Sequence, residues 1–298
     1  MLLRAIFCFA VAAALSVCDK APTQAALLVD PIVGGTLIWD GSQDLNGSGE
    51  YNFDPVMQIN TGSTFKGKFY GRAVGPVFVS ENGNLLFSSP ADFFPVGLNE
   101  VRGSIIAPLW DDFLVLPGAN NAVIDHSVGG QYLGLTWSNV RLELETSFDP
   151  DAPVSFPDTT RSAQVLWFEA ATTIRGVTFE PDDIVFSYVG HVVGTADFGL
   201  QLFATIGIAD SSTSFTPLPG DMDGSITAGE SGLLAWESNS YLLFRPEILQ
   251  AGGTGYVASK NYFTAVPEPS AGLMLGFVGS LAGCCLLIRR WTLMQAFA

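Results

Sequence analysis

Cysteine is almost missing from this chain. Of 298 residues four are Cys, and all lie near the ends: Cys8, Cys18, Cys284 and Cys285. Residues 26–265 therefore carry no disulfide, and a stretch of that length buries a core without one. Histidine is equally scarce. His126 and His191 are the only two, and neither has a companion at zinc-ligand or triad spacing. No Gly-x-Ser-x-Gly elbow occurs. These absences weigh against most hydrolase readings. Positive charge is short as well, with 13 Lys and Arg against 29 Asp and Glu and a net charge of −16. That balance excludes a nucleic-acid binder held by phosphate contacts. Charged residues are only 14%, while 48% are hydrophobic, so an acidic disordered chain is excluded too.

The ends differ from the body. Arg4 precedes an uncharged apolar stretch over residues 5–17, which as a helix spans about 20 Å, too short for a bilayer core of about 30 Å. A basic start, a short apolar core and small residues make a secretory signal peptide over 1–25. The favoured cut follows Ala25, with Ala21 as a second candidate. Lipoprotein processing at Cys18 is a rival, against which Val17 stands where that signal takes Gly, Ala or Ser. Removing the ends makes the exported body more acidic. Only Asp19 and Glu268 among the acids, and Arg4, Lys20, Arg289 and Arg290 among the bases, lie outside 26–265. That leaves 27 against 9, a net of −18.

At the other end, Val266, Pro267, Glu268 and Pro269 precede an uncharged run over residues 271–288, closed by Arg289 and Arg290. Eighteen residues cover about 27 Å as a helix, which suffices for a membrane span with slight thinning. The arginines mark the cytoplasmic side, so the body lies outside. Gly272, Gly276 and Ser280 sit four apart, a spacing that permits close helix approach, although glycine is common in membrane helices generally. The whole arrangement over 266–290 resembles the PEP-CTERM sorting signal of bacterial surface proteins. That resemblance implies recognition by an exosortase-type processing enzyme and delivery to the cell surface or an exopolysaccharide matrix, as in a biofilm. One departure is the short tail 291–298, longer than such signals usually carry.

Between the ends, few windows show apolar residues at helical spacing. Short runs of Val, Ile, Phe, Tyr and Thr recur instead, separated by Gly, Pro, Asn and Asp. The runs at 77–80, 85–88, 105–109, 132–137, 163–168, 184–189 and 204–208 predict strands, and their spacing predicts an all-β, antiparallel sandwich-like ectodomain followed by the C-terminal transmembrane helix. Asn82-Gly83 predicts a type I′ hairpin turn between the first two runs. The one helix candidate in the body is 229–237.

Several pieces stand in a telling order: Phe69-Tyr70-Gly71-Arg72, then Val77 to Phe87 with Glu81-Asn82-Gly83-Asn84, then Ala107-Pro108-Leu109-Trp110-Asp111-Asp112, and later Leu135-Thr136-Trp137 and Gln164-Val165-Leu166-Trp167. Together with the strands after them they resemble a nidogen-like (NIDO) domain, an extracellular β-rich module of cell–matrix adhesion proteins. The likeness covers about 65–210, with 143–161 as an inserted, Asp- and Pro-rich loop. It implies adhesion or matrix association and carries over no catalytic residue. Residues 26–64 read as a β-rich lead-in. Residues 211–265 read as an extension that either closes the main sheet or forms a stalk, with 241–244 a strand and 252–255 a flexible lead toward the anchor.

Three constellations bear on chemistry. Asp111 and Asp112 after Trp110 have the form of a glycosidase carboxylate pair, although strand-end residues at a turn are the favoured reading. Trp110 beside them could face a sugar, as in a lectin. Both histidines read as exposed loop or strand residues. Asp221, Asp223 and Ser225 open a calcium-type loop, with Glu230 at its tenth place. Ile226 and Gly232 occupy the positions where such a loop takes Gly and Glu, so the match is partial. The expectation is a non-enzymatic protein without a required cofactor, calcium being the one candidate. It is exported and membrane-held through its C-terminal helix, then associates with extracellular polysaccharide or matrix. The alternatives are a carbohydrate-binding or glycan-hydrolysing surface protein, and a structural coat subunit.

Overall fold

Residues two apart on a strand share a face, and this alternation sorts the apolar residues of the protein into layers. The computed structural model describes residues 27–30, 34–41, 56–59, 65–87, 98–101, 103–111, 113–115, 122–142, 161–190, 203–211, 213–217, 225–227, 240–249 and 253–263. All of them fall in one unit, Ala25–Phe263. Among the described residues there is no helix, and so none long and apolar enough to cross a membrane. The helix expected over 271–288 and the candidate at 229–237 lie outside the described residues.

The chain forms β1 (Thr36–Trp39), β2 (Val56–Ile59), β3 (Lys68–Phe69), β4 (Arg72–Ala73), β5 (Val77–Ser80), β6 (Leu85–Leu86) and β7 (Ile105–Trp110). Next come β8 (Phe113–Leu114), β9 (Ala122–Asp125), β10 (Tyr132–Leu142), β11 (Arg161–Phe168), β12 (Thr172–Ile174) and β13 (Val177–Phe179). The last are β14 (Ile184–Gly190), β15 (Phe203–Ser211), β16 (Ser214–Pro217), β17 (Ser225–Thr227), β18 (Ser240–Ile248) and β19 (Thr254–Tyr262). One sheet has the order β1-β9-β10-β11-β14-β18-β19, with β8 added beside β10. The second runs β16-β15-β7-β6-β5-β2, with β17 beside β15. The hairpins β3–β4 and β12–β13 stand apart. Every pairing is antiparallel.

The two sheets pack face to face. Ala163, Val165 and Trp167 of β11, with Ile184, Phe186 and Tyr188 of β14, meet Val77, Val79, Ile106, Ile206 and Ile208 of the second sheet in one core. The alternate residues of the first sheet make a second apolar layer on its outer face, where Leu166, Phe168, Val185 and Leu243 pack with Leu28, Phe179 and Phe263. A third, smaller cluster covers the outer face of the second sheet around Ile105, Ala107 and Trp110. Strand β7 is buried along its whole length. Its register against β15 slips between Ala107 and Trp110. Pro108, which has no N–H to donate, sits in that slip, where a sheet tolerates proline. Its carbonyl accepts the hydroxyl of the buried Tyr188.

The antiparallel sandwich expected from the sequence is the fold of the described residues. Two local expectations need correction. The β5–β6 hairpin exists, pairing Phe78 with Leu86 and Val79 with Leu85, but its turn is not type I′. The Ser80 N–H donates to the Asn84 carbonyl, which leaves a three-residue loop in which Gly83 alone has positive φ, +80°. A third loop residue in the left-handed region is the usual solution at that length. The positive-φ pairs of a type I′ turn fall instead at Tyr70-Gly71 (48° and 77°) and Arg175-Gly176 (50° and 78°). The flexible lead read over 252–255 is overturned at 254–255, because Thr254–Tyr262 pairs with β18 along its whole length, while Gly252 lies outside the described residues. Strand β18 in turn pairs with β14, so this part of 211–265 extends the first sheet.

Candidate functional site

The Glu81–Asn84 piece and the Trp110–Asp111 piece are brought together, and they build structure. Residues 81–84 form the β5–β6 loop, and every one of them is buried. The Asn82 carbonyl accepts the Asp111 N–H at 3.1 Å, and its side-chain oxygen accepts the Phe113 N–H at 3.1 Å. The Leu109 N–H donates to the Gly83 carbonyl, and the Val115 N–H donates to the Glu81 carboxylate. The Trp137 indole N–H reaches across to the Ser80 carbonyl at 2.8 Å. The loop thus supplies acceptors for the turn that follows β7, where the chain leaves its ladder partner.

Asp111 stands at a strand-end turn, as the favoured reading had it, and the sugar-facing alternative for Trp110 is corrected. Asp111 is 6% exposed, and Trp110 is 1% exposed within the outer cluster of the second sheet, so its indole faces no sugar. Asp112 lies outside the described residues. His126 is corrected too: it is buried rather than exposed, at the end of β9, with Nε2 2.9 Å from the Thr136 hydroxyl. Burial lowers its pKa from 6.5 to about 4, against a smaller opposing pull from Asp125. The ring lies over Gly134, where an added Cβ would stand 2.7 Å from it. His191 lies outside the described residues.

Of the calcium-loop candidates, Ser225 opens β17 and its backbone pairs with Thr205. Asp221, Asp223 and Glu230 lie outside the described residues, as do Val266, Pro267, Glu268, Pro269, Arg289 and Arg290 of the sorting signal. Among the described residues no group of three or more His, Cys, Asp or Glu side chains could hold a metal ion.

Among the described residues, two open concavities lie on either side of the β3–β4 hairpin. Its tight turn turns Tyr70 inward, where the hydroxyl lies 3.4 Å from the Ile208 carbonyl and from the Thr216 hydroxyl. Phe69 stacks on Phe87 at 4.8 Å, and Tyr70 meets Tyr256 edge-on at 5.0 Å. Aromatic packing of this kind accounts for a non-glycine residue held at positive φ. Burial pushes the Tyr70 phenol up to about 12 and raises Tyr256 further.

On one side of the hairpin is a cleft of about 210 Å³. There Arg72 pairs with Asp210 at 3.2 Å, and the Ser104 hydroxyl donates to the same carboxylate at 2.8 Å. On the other side is a cleft of about 340 Å³, bordered by Lys68, Asp182, Glu247 and Thr254. Burial raises the Asp182 pKa, opposed by the Lys68 N–H, which donates to its carboxylate at 2.6 Å. Both clefts carry charges of both signs beside apolar side chains such as Phe87 in the first and Ile248 in the second. The sequence signal for them was the Tyr70-Gly71 turn, which went unread because tyrosine is rare at positive φ. Comparison with known protein families, with curated proteins and with solved structures finds no match for this chain.

Proposed function

We propose that this chain is an exported bacterial surface protein whose sandwich associates with extracellular polysaccharide or matrix without turning it over. In this reading the general secretory route exports it and the C-terminal helix holds it with the body outside. An exosortase-type enzyme then processes it at the signal around Pro267, Glu268 and Pro269. The observation that carries the reading is the interlock of residues 81–84 with Asp111. Asp111, the described member of the pair most like catalytic carboxylates, borders a turn that the loop holds by hydrogen bonds from the Asn82 carbonyl and side chain. The clefts beside the β3–β4 hairpin supply paired charges and hydroxyls at the surface, suited to weak, repeated contacts with a polyhydroxylated chain.

The test uses residues 26–265 with matrix polysaccharide from the source cells, in calcium and in chelator. Saturable binding without released sugar is the expected result, and loss on chelation would point to the loop at Asp221. Released sugar would replace the reading with the glycan-hydrolysing alternative. Neither binding nor release would favour a coat subunit. The processing step has its own check, since mature surface protein that still ends at Ala298 would exclude it.

A further inference from the structure

Three polar side chains on the outer face of the first sheet have no place in the sandwich core; two of them bond one short segment directly and the third reaches it through Gln164. Thr136 of β10, Gln164 of β11 and Ser187 of β14 are each 1% exposed or less. The Gln164 amide engages Val29 as a neighbouring strand would. Its Oε1 accepts the Val29 N–H at 3.0 Å, and its Nε2 donates to the Val29 carbonyl at 2.9 Å. The Leu28 N–H donates to the Ser187 hydroxyl at 3.1 Å, and Arg175 Nη2 donates to the Leu27 carbonyl at 2.6 Å. Leu28 itself is 2% exposed, seated in the outer apolar layer. Arg175 also lies over the Phe263 ring at 5.7 Å, so a single side chain holds both edges of that layer. The segment is fixed by side chains that read its main chain, not by a strand ladder.

We propose that residues 27–30 are a releasable strap, clamped by Gln164 and let go when His126 takes up a second proton. The hydrogen-bond chain gives the reason. Gln164 Nε2 donates to Thr136 Oγ1 at 2.9 Å, and Thr136 Oγ1 lies 2.9 Å from His126 Nε2, with Gln164 Nε2 itself 3.4 Å from that nitrogen. With Nε2 unprotonated, the Thr136 hydroxyl donates to it and the chain runs in one direction. A proton on Nε2 reverses the last link and sets a cationic N–H against the Gln164 NH₂ group. Turning that amide away relieves the clash and breaks both bonds to Val29.

Asp125, next to His126 in the chain, offsets the new charge only in part. On its own strand, Asp125 is engaged by the Ser127 N–H and hydroxyl. From β10 come Tyr132 and Thr136, from β11 Gln164, and Ser187 of β14 stands behind the Gln164 amide. The segment itself carries Asp30, and Arg175 adds a positive charge at its other end. With the strap seated, burial holds His126 near 4. With the strap off and the Gln164 amide free to turn, the donor set against a protonated Nε2 is gone, and the pKa rises from that value toward the ordinary one. Seating is therefore complete above pH 6.5 and is lost progressively as pH falls toward 4.

Amide exchange on the full-length chain in detergent tests this, with rates corrected for the intrinsic effect of pH. Protection of the Leu28 and Val29 amides should fall at least tenfold between pH 7 and pH 4. The Trp137 indole N–H, bonded within the core, should hold its protection and so rule out global unfolding. His126→Asn should abolish the step, and Gln164→Ala should leave the strap unprotected at both pH values. A strap still protected at pH 4 while the imidazole resonances report a charged ring would overturn the proposal. So would the same loss in His126→Asn. Should that variant fail to fold, the wild-type midpoints decide, because strap exchange and ring titration must coincide.

Discussion

Gly83→Ala is expected to destabilise the body by about 4 kcal/mol or more, enough to unfold a domain of ordinary stability. Two costs add. At φ +80° an alanine pays roughly 1 kcal/mol for the left-handed region. The larger cost is contact: a Cβ at this position would stand 1.9 Å from the Leu109 carbonyl oxygen and 2.9 Å from its carbon. Those are backbone atoms of β7, and β7 is buried throughout, so neither partner can give way. Movement would also break the Asp111–Asn82 and Phe113–Asn82 hydrogen bonds that depend on the same approach. Gly176 separates the two costs, because it has nearly the same φ, +78°, with nothing within 4 Å of an added Cβ. Gly176→Ala should therefore cost only about 1 kcal/mol. Urea unfolding of both variants checks this, and equal losses would show that backbone conformation alone sets the price at Gly83.

Much of the sandwich was legible because its central strands are runs of β-branched and aromatic residues bounded by turn formers. Val77–Ser80 has the predicted limits, and the runs that became β7, β10, β11, β14 and β15 lie within the strands found. The strands that escaped notice are those with polar or short sequences. Strand β19, Thr-Gly-Tyr-Val-Ala-Ser-Lys-Asn-Tyr, lies at the sheet edge with one ladder partner and most of its residues only partly buried, so its composition resembles a loop. Turn chemistry misled in one place for a physical reason. Asn-Gly favours two left-handed residues, yet at Asn82 the side chain is committed to capping Phe113 across 31 residues, and that contact decides the loop.

The candidate site was less legible still. Whether Trp110 faces solvent depends on the register slip at Pro108, and whether His126 is buried depends on Gly134 lying beneath it. Both are relations between strands, and spacing along the chain does not encode them. The strap is of the same kind: residues 27–30 find their partners 135 to 159 positions away.

Arg245→Met should cost about 3 kcal/mol, although Arg245 is itself half exposed. Its guanidinium grips Asp183 with two bonds, Nε to Oδ1 at 2.9 Å and Nη2 to Oδ2 at 2.6 Å. The Asp183 side chain is completely buried, and among the described residues its other donor is the Glu180 N–H at 2.8 Å, on Oδ2. Methionine preserves the aliphatic stem and removes the charge, which leaves a buried carboxylate with one oxygen stripped of its donor. The expense of that uncompensated charge, not the strength of the pair, sets the loss. The double variant Arg245→Met with Asp183→Asn removes the charge altogether and keeps an acceptor for Glu180. It should be more stable than Arg245→Met alone, although it carries one more substitution. Thermal and urea unfolding of residues 26–265 measure the difference. A double variant weaker than the single one would mean that the pair holds the end of β18 against the β13–β14 turn by attraction. A stronger one would mean that Arg245 serves chiefly to make a buried Asp183 tolerable where β14 begins.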